Sequence, residues 1–94
     1  MAFWVYILRC ADDSYYVGHS DNLDDRLQQH QSGAVVGYTK ARRPVRLAYS
    51  QDFARRDEAF AAERRIKGWS RKKKEALING DWEELRRLAR GRPR

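Results

Sequence analysis

The chain begins with two short, largely apolar stretches separated by a polar run. Residues 3 to 10 and residues 14 to 19 are rich in aromatic and β-branched side chains, which favour strands. The polar run "ADDS" between them is typical of a turn. The pattern predicts a β-hairpin at the start of the chain.

A helical repeat follows the hairpin. Over residues 22 to 31 two leucines recur four residues apart, and Gly33 comes just past the end of this stretch. The pattern predicts a helix whose N-cap is Ser20 or Asp21. The next residues, 33 to 44, contain glycines and a proline, and we predict an irregular surface loop there.

The second half of the chain predicts one more strand and then three helices. Residues 45 to 53 alternate like a strand, and residues 55 to 69 repeat at helical spacing. A short helix follows with Ser70 as its N-cap, and the last helix begins with a capping box of Asp81 and Glu84. The inward stripe of the last helix is predicted to be Trp82, Leu85 and Ala89.

The order of these elements predicts an α+β fold. Two strands, a helix, a third strand and three helices do not alternate regularly, which excludes a doubly wound sheet. Short, hairpin-linked strands predict a small three-stranded, mainly antiparallel sheet flanked by helices. A chain of 94 residues suffices for one core, so we expect a single domain over residues 1 to 90 and a disordered basic tail at 91 to 94.

Charge is distributed unevenly along the chain. Residues 1 to 39 carry two basic and five acidic side chains, whereas residues 40 to 74 carry thirteen basic and four acidic ones. The formal net charge of the whole chain is +7. A polyanion is therefore the expected partner, lying against the surface that the middle segment builds. Charge alone leaves DNA, RNA, binding and catalysis open.

Other features of the composition bear on the cellular location of the protein. No run of about 18 apolar residues is present, so we expect no membrane association. The start of the chain lacks the basic region and the small-residue cleavage site of a signal peptide. The single cysteine, Cys10, excludes an internal disulfide and a multi-cysteine metal site, and we expect a cytoplasmic protein.

One acidic residue lies on the apolar face of a predicted helix. Burying the ionised carboxylate of Glu63 there without a partner would cost several kcal/mol, so this residue needs a cation. Spacing alone leaves two choices. The first is an ion pair with an arginine such as Arg26, and the second is a hard divalent metal bound together with water and phosphate oxygens. The apolar face around Glu63 consists of Ala59, Phe60, Ala62, Ile66 and Trp69.

Two tyrosines, an arginine and a histidine are expected near one another. Tyr6 and Tyr16 lie on the paired strands, where aromatic pairs are also ordinary sheet packing. Arg26 and His30 are four residues apart and share one face of the next helix. Together with Glu63 they can reach one pocket at the open side of the sheet. Phosphodiester hydrolysis needs such a set: a proton acceptor, a cation for the developing charge and a metal on the leaving side.

These residues and their spacing resemble the GIY-YIG nuclease family, and in particular its small stand-alone bacterial members. "VYI" at residues 5 to 7 stands in place of the first motif, and "YVG" at residues 16 to 18 stands in place of the second. Arg26 and His30 follow at the family's spacing. The resemblance covers residues 3 to about 78 and includes the blocks "GYTKARRPVRL" and "AERRIKGWSRKKKEALI".

The resemblance implies a metal-dependent endonuclease that hydrolyses DNA. Tyr6 would be the general base or would orient the attacking water, and Arg26 would stabilise the pentacovalent phosphate. Glu63 would hold one Mg²⁺ or Mn²⁺ ion. Tyr16 and His30 would complete the hydrogen-bond network that positions water and phosphate.

The identity of the proton acceptor is left open by residue chemistry. A tyrosine with the reference pKa of about 10 is a poor base at neutral pH, so either a nearby cation lowers the pKa of Tyr6 or another group is the base. His19 titrates where a base is useful, and some family members carry a lysine or another polar group at this position. Strand alternation places it on the face opposite Tyr16 unless Gly18 bends the chain.

The basic side chains of the middle segment are expected to contact phosphates, which positions a duplex without reading its sequence. Because no second domain supplies sequence recognition, we expect cleavage of branched, damaged or single-stranded DNA in repair or recombination. A partner protein could select the substrate, and a monomer or weak homodimer is expected. The alternative function is a non-catalytic module that binds DNA or RNA. The candidate phosphate contacts are Lys40, Arg42, Arg43, Lys67, Arg71, Lys72, Lys73 and Lys74.

Overall fold

The computed structural model describes residues 1 to 90 and shows an α+β fold, which confirms the predicted class. Its elements are β1 (Phe3–Arg9), β2 (Tyr15–Ser20), α1 (Leu23–Ser32), a 3-10 turn (Lys40–Arg42), β3 (Arg46–Phe53), α2 (Arg56–Lys67), α3 (Arg71–Ile78) and α4 (Trp82–Arg90). The strands form one antiparallel sheet in the order β2-β1-β3. The predicted tail at 91 to 94 lies outside the described residues. None of the described helices is long and apolar enough to cross a membrane.

The sheet separates two hydrophobic layers, because successive side chains of a strand point to opposite faces. On one face the strands pack against α2 and α3, and on the other they pack against α1. The middle strand β1 contributes to both layers. Val5 and Ile7 face α2, whereas Tyr6 and Leu8 face α1. Tyr16 of β2 also lies on the α1 face, as the alternation along the hairpin predicts.

The predicted N-cap of α1 is wrong. The helix is capped by Asn22, whose side chain accepts a hydrogen bond from the backbone N–H of Asp25 at 3.1 Å. Ser20 lies too early in the chain for this role, because its hydroxyl bonds the backbone of Asn22 and so forms the turn before the helix. Asp21 does not cap the helix either. The predicted cap of α3 is confirmed, since the Ser70 side chain accepts from the N–H of the third helical residue at 3.2 Å.

Helix α4 has one half of the predicted capping box. The Asp81 side chain accepts a hydrogen bond from the N–H of Glu84 at 3.1 Å. The other half is not formed, because the N–H of Asp81 bonds the carbonyl of Ala76 and the Glu84 carboxylate bonds Arg87 instead of returning to Asp81.

The inner face of α4 also differs from the prediction. Leu85 packs against the core, whereas Ala89 is exposed and Trp82 is 53% exposed. The reason is that α4 packs mainly against α3, so a narrow stripe around Leu85 is enough to cover the contact.

The segment between α1 and β3 is less exposed than its glycine and proline content predicts. Thr39 and Val45 are buried, and the 3-10 turn lies between them. The Arg42 guanidinium donates hydrogen bonds to the carboxylate of Asp12 at 3.0 Å and to the backbone carbonyl of Tyr38 at 2.7 Å. These contacts fasten the segment over the α1 face of the sheet.

Candidate active site

Three aromatic side chains from three elements meet on the α1 face of the sheet. The ring centroids of Tyr6 and Tyr16 are 6.5 Å apart, and the ring of His30 lies 5.8 Å from Tyr6 and 5.2 Å from Tyr16. The ring of Tyr38 stacks on Tyr16 from the loop side at 6.1 Å. The structure therefore brings both tyrosines and the histidine singled out in the sequence into one cluster.

A buried hydrogen-bond chain runs through this cluster. The hydroxyl of Tyr6 lies 2.9 Å from Nε2 of His30, and Nδ1 of His30 lies 2.8 Å from the hydroxyl of Thr39. The exposed fractions of Tyr6, His30 and Thr39 are 1%, 0% and 1%. Polar groups buried this deeply are normally hydrogen-bonded, and here each ring nitrogen of His30 has one partner.

Arg26 supplies the positive charge beside this chain. Within residues 1 to 90, its Nε is the one buried side-chain nitrogen or oxygen without a hydrogen-bond partner. Burial lowers the pKa of His30, and the charge of Arg26 lowers it further. Burial raises the pKa of Tyr6 to about 12, although Arg26 opposes this shift. The neighbouring cation therefore does not make Tyr6 a base at neutral pH by itself.

Gly18 allows the close approach on which the cluster depends. It is the cross-strand partner of Tyr6, and the ring of Tyr6 lies across its backbone. A Cβ atom at position 18 would lie 2.5 Å from the hydroxyl oxygen of Tyr6 and 2.7 Å from the ring carbon that carries it. Neither atom belongs to a flexible chain end, so the ring would have to move. A glycine is required here by space rather than by backbone conformation.

Glu63 lies on the other face of the sheet, at the edge formed by β2. It is 7% exposed, and its two carboxylate oxygens have different partners. Nδ1 of His19 lies 2.6 Å from Oε1, and Nζ of Lys67 lies 2.9 Å from Oε2. The ion pair with Arg26 considered from the sequence is not formed, because Arg26 belongs to α1 on the opposite face. His19 faces α2, where its ring also lies 5.3 Å from Phe60.

The aromatic cluster on the α1 face and the carboxylate of Glu63 on the other face are linked around the edge strand β2 by Lys67. Nζ of Lys67 lies 6.0 Å from the ring centre of Tyr16, and the charge of Glu63 contributes to the raised pKa of Tyr6. An open cleft of about 340 Å³ lies at the same edge. Of the candidate catalytic residues, His19 and Arg26 line this cleft, and the other four do not. The cleft is lined by His19, Ser20, Asp21, Asn22, Asp25, Arg26, Gln29 and Arg56.

The basic residues of the loop differ in how they are held. Arg42 is fixed by Asp12 and by the ring of Tyr38, whose centre lies 3.9 Å from its guanidinium carbon. Arg43 donates to two backbone carbonyls, at 2.8 and 3.3 Å, and so ties the loop to the end of α1. The side chain of Lys40 is exposed. Two of these three cations are therefore committed to the loop itself.

The basic residues of α3 also differ from one another. Arg71 pairs with Glu75 at 3.0 Å. Nζ of Lys73 lies 4.4 Å from the ring centre of Trp69. Burial lowers the pKa of the half-buried Lys74, and Arg71 adds to the effect. Lys72 is exposed. Lys67, the remaining candidate phosphate contact, is the partner of Glu63 described above.

The donor set of the site suits a hard divalent ion held by a single carboxylate. Residues 1 to 90 contain no cluster of three or more His, Cys, Asp or Glu side chains that could enclose a metal. Mg²⁺ does not need one, because it keeps several waters and binds through one or two carboxylates plus phosphate oxygens. Glu63 meets this requirement. The exposed Lys67 can move away from Oε2 while His19 keeps Oε1 in place.

The sheet order, the two tyrosines on the hairpin and the carboxylate on α2 define a nuclease-type domain. The chain belongs to the GIY-YIG family, since the family model described as the GIY-YIG catalytic domain matches residues 2 to 76. The matched stretch extends from β1 into α3 and includes every residue of the site. Membership in this family supports a nuclease-type function.

Within the family, the chain is similar to small stand-alone bacterial proteins named UPF0213. A UPF0213 protein of Bacillus pumilus is 47% identical over 83 residues, which cover 88% of this chain and 81% of the relative. The solution NMR structure of the UPF0213 protein BH0048 from Bacillus halodurans is 38% identical with a TM-score of 0.56, covering 94% of this chain and 97% of that one. The solution NMR structure of protein EF2693 from E. faecalis is 33% identical with a TM-score of 0.59, covering 85% of each chain.

Sequence reasoning missed Thr39 and the role of Lys67 as a partner of Glu63. Thr39 lies in a loop without hydrophobic periodicity, so no pattern marks it as buried. Lys67 was singled out only as a phosphate contact. Its position four residues after Glu63 on the same helix was a usable signal, because side chains at this spacing are neighbours on a helix surface.

Proposed function

We propose that this protein is a metal-dependent endonuclease that hydrolyses phosphodiester bonds of DNA. The observation that carries the proposal is the buried hydrogen-bond chain from Tyr6 through His30 to Thr39, with Arg26 beside it. Within residues 1 to 90, Nε of Arg26 is the buried side-chain donor that has no protein partner, which is typical of a site that binds a ligand. The buried carboxylate of Glu63 lies on the other face of the sheet, and its partner Lys67 extends toward Tyr16.

In the proposed reaction, Arg26 binds the scissile phosphate. Its buried Nε lacks a protein partner within the described residues, and its side chain lines the open cleft. A guanidinium is suited to phosphate oxygens because its N–H donors form a planar fork. Since charge accumulates on these oxygens as the bond to the nucleophile forms, Arg26 lowers the free energy of the transition state relative to the bound substrate.

Tyr6 and His30 act together as the proton acceptor. With its pKa raised to about 12, Tyr6 remains a phenol at neutral pH. His30 has a lowered pKa and is therefore neutral, so it can accept a proton. The attacking water transfers its proton to the Tyr6 oxygen while the hydroxyl proton of Tyr6 moves to Nε2 of His30. Tyr16 packs against His30 and keeps the ring in position.

Glu63 is the residue that would hold one Mg²⁺ or Mn²⁺ ion. Such an ion, when bound, neutralises charge on the phosphate and on the leaving oxygen. The protein's own contribution is to keep the carboxylate buried and oriented. His19 does this through its 2.6 Å contact with Oε1, and it is proposed as a positioning residue rather than as the base.

The basic surface is proposed to hold the DNA backbone, with the exposed Lys40 and Lys72 reaching phosphates more readily than the anchored arginines. Lys67 would reach a phosphate only by leaving its ion pair with Glu63. Selection of branched, damaged or single-stranded DNA, as in repair or recombination, is the proposed specificity, since the basic surface offers phosphate contacts that do not read sequence. A partner protein could refine this choice. A monomer or weak homodimer would suffice, since all proposed site residues come from one chain.

The proposal is tested by incubating labelled single-stranded, duplex and branched DNA with the purified protein. Cleavage is expected with Mg²⁺ or Mn²⁺, and none with chelator or with Glu63→Ala. Glu58→Gln is the matched control, because Glu58 is an exposed carboxylate near the start of the same helix. Binding without cleavage by all three proteins would instead support a non-catalytic DNA-binding module. The same outcome with RNA alone would identify an RNA-binding module.

A further inference from the structure

The hydroxyl of Thr39 is the second partner of the buried His30. It lies 2.8 Å from Nδ1, while the Tyr6 hydroxyl lies 2.9 Å from Nε2 on the other side of the ring. Thr39 is itself 1% exposed although it belongs to a loop. The loop is fastened nearby by Arg42, so the hydroxyl is held in place rather than free to turn away with the backbone.

A neutral imidazole carries one proton, and its position decides what His30 can do. With the proton on Nδ1, that N–H donates to Thr39 and the lone pair of Nε2 faces the hydroxyl of Tyr6. With the proton on Nε2, that N–H donates to Tyr6, and the remaining lone pair is on Nδ1, where it faces Thr39 and cannot accept the tyrosine proton. The two tautomers therefore differ in whether the proposed proton transfer is possible.

The chemistry of the two hydroxyl partners distinguishes the two tautomers. A phenol is a stronger hydrogen-bond donor and a weaker acceptor than an alcohol, so the Tyr6 hydroxyl, 2.9 Å from Nε2, is the better donor to the ring. The Thr39 hydroxyl, 2.8 Å from Nδ1, is the better acceptor, which favours the tautomer whose proton is on Nδ1. Thr39 is the group that can accept this proton in a hydrogen bond. The ionisable groups that face His30 are Tyr6 from β1, Tyr16 from β2 and Arg26 from its own helix.

We propose that Thr39 is a positioning residue whose hydroxyl accepts the Nδ1 proton of His30 and thereby keeps the Nε2 lone pair directed at Tyr6. The inference rests on the proposed function, in which His30 accepts the tyrosine proton. It adds a residue outside the hairpin and α1 to the site, and it gives the segment between α1 and β3 a role in the reaction.

The test combines a spectroscopic and a kinetic measurement on the full chain. The ¹⁵N shifts of the His30 ring, recorded at about pH 7.5, report which nitrogen carries the proton. His19→Gln identifies the signals, because the chain has two histidines. The wild-type protein is expected to show a protonated Nδ1 and an unprotonated Nε2. A wild-type ring protonated mainly at Nε2 would overturn the proposal.

Two substitutions of Thr39 separate the hydrogen-bonding role of its hydroxyl from the contribution of its side chain to packing. Thr39→Val keeps the shape and removes the hydroxyl, so we expect the Nε2-protonated form to become detectable. We also expect kcat to fall about tenfold or more, with the acid limb of the pH profile displaced and KM for DNA unchanged. Thr39→Ser is expected to restore the tautomer and the rate. Wild-type tautomer and rate in a folded Thr39→Val protein would contradict the proposal.

Two further outcomes remain decisive. Should Thr39→Val fail to fold, as judged by its amide spectrum, the wild-type tautomer and the Thr39→Ser rate still decide the question, since Ser retains the hydroxyl. Should the wild-type protein cut no DNA at all, the proposed function fails, while the ¹⁵N shifts of His30 still show whether Thr39 holds the proton at Nδ1.

Discussion

At the scale of single residues, the side chains around Tyr6 are packed so closely that an added carbon atom would clash with the ring. Removing a hydroxyl from the buried hydrogen-bond chain would leave its neighbour without a partner. The ring of Tyr6 lies against the backbone of Gly18, its hydroxyl lies 2.9 Å from Nε2 of His30, and both side chains are buried. Interiors packed this closely respond to changes of a single methyl group. The close approach at Gly18 predicts the effect of an added methyl group, and the burial of His30 predicts how stability depends on pH.

Gly18→Ala is expected to displace the ring of Tyr6 and to destabilise the protein by about 1–3 kcal/mol, the usual cost of overpacking. Cleavage should be lost with it, because the hydroxyl of Tyr6 would leave His30. Urea unfolding and cleavage rates measure both effects. Gly68→Ala is the matched control, since an added Cβ there meets its nearest atom at 3.6 Å. Equal stability of the two variants would show that the close approach at Gly18 is not tight.

The lowered pKa of His30 predicts how stability depends on pH. The folded protein binds the proton less readily than the unfolded chain, whose histidine pKa is about 6.5. The free energy of unfolding should therefore be constant above that pH and should decrease as pH falls below it, until the lowered pKa is reached. Urea unfolding at about pH 7.5 and 5.5 measures the loss, and His30→Gln should remove that part of it. A His30 ring that titrates above the ordinary range would contradict the assignment.

At the scale of elements, the site is built where helices on opposite faces reach the same edge strand. Helix α1 presents Arg26 and His30 to one face of β2, and helix α2 presents Glu63 to the other. Lys67 follows Glu63 by one turn and extends toward Tyr16 around the edge. The helical spacing thus places the ammonium group of Lys67 at Oε2 of Glu63, and a metal ion that binds this oxygen must displace the ammonium group.

Lys67→Ala is expected to tighten the binding of Mn²⁺ to the free protein by about two- to fivefold, the size of a partly exposed ion pair. The physical reason is that the metal no longer competes with the ammonium group for Oε2 of Glu63. Titration followed by the electron paramagnetic resonance signal of Mn²⁺ measures it without DNA. Arg65→Ala removes an equal charge from the exposed side of the same helix and should change little. Weaker Mn²⁺ binding in Lys67→Ala would show that Lys67 helps to hold the ion.

The strands and helices could be predicted because the residue pattern that indicates each of them lies within the element itself. The alternation in the hairpin places Tyr6 and Tyr16 on one face, and it places His19 on the other, as the structure shows. Lys67 could be predicted as a partner of Glu63 from its spacing of four residues, but His19 could not, since helical spacing does not show which neighbour on the sheet a buried carboxylate meets. The N-cap of α1 was misassigned because Ser20 and Asn22 are both good capping residues and only the turn geometry selects between them.

At the scale of the whole molecule, the sheet separates two groups of polar side chains that lie on its opposite faces, near the same edge strand. The α1 face holds the buried hydrogen-bond chain and Arg26, and the α2 face holds the carboxylate of Glu63. The order β2-β1-β3 leaves β2 at the edge, where the cleft is lined by Arg26 from one face and by His19 from the other. Thr39 could not be foreseen at this scale either, because the return of the loop onto α1 depends on its contacts with Asp12 and not on its own pattern.

We infer that the two faces of the sheet contribute to one active site. The most direct measurement is the single-turnover rate of DNA cleavage, with Mg²⁺, for His30→Gln, Glu63→Gln and the double variant. Residues that act as one unit have strongly non-additive effects on rate. Each single variant is therefore expected to lose about 100-fold or more, and the double variant should be little slower than the worse single one. Wild-type rates in either single variant, or losses that multiply in the double variant, would contradict a shared site.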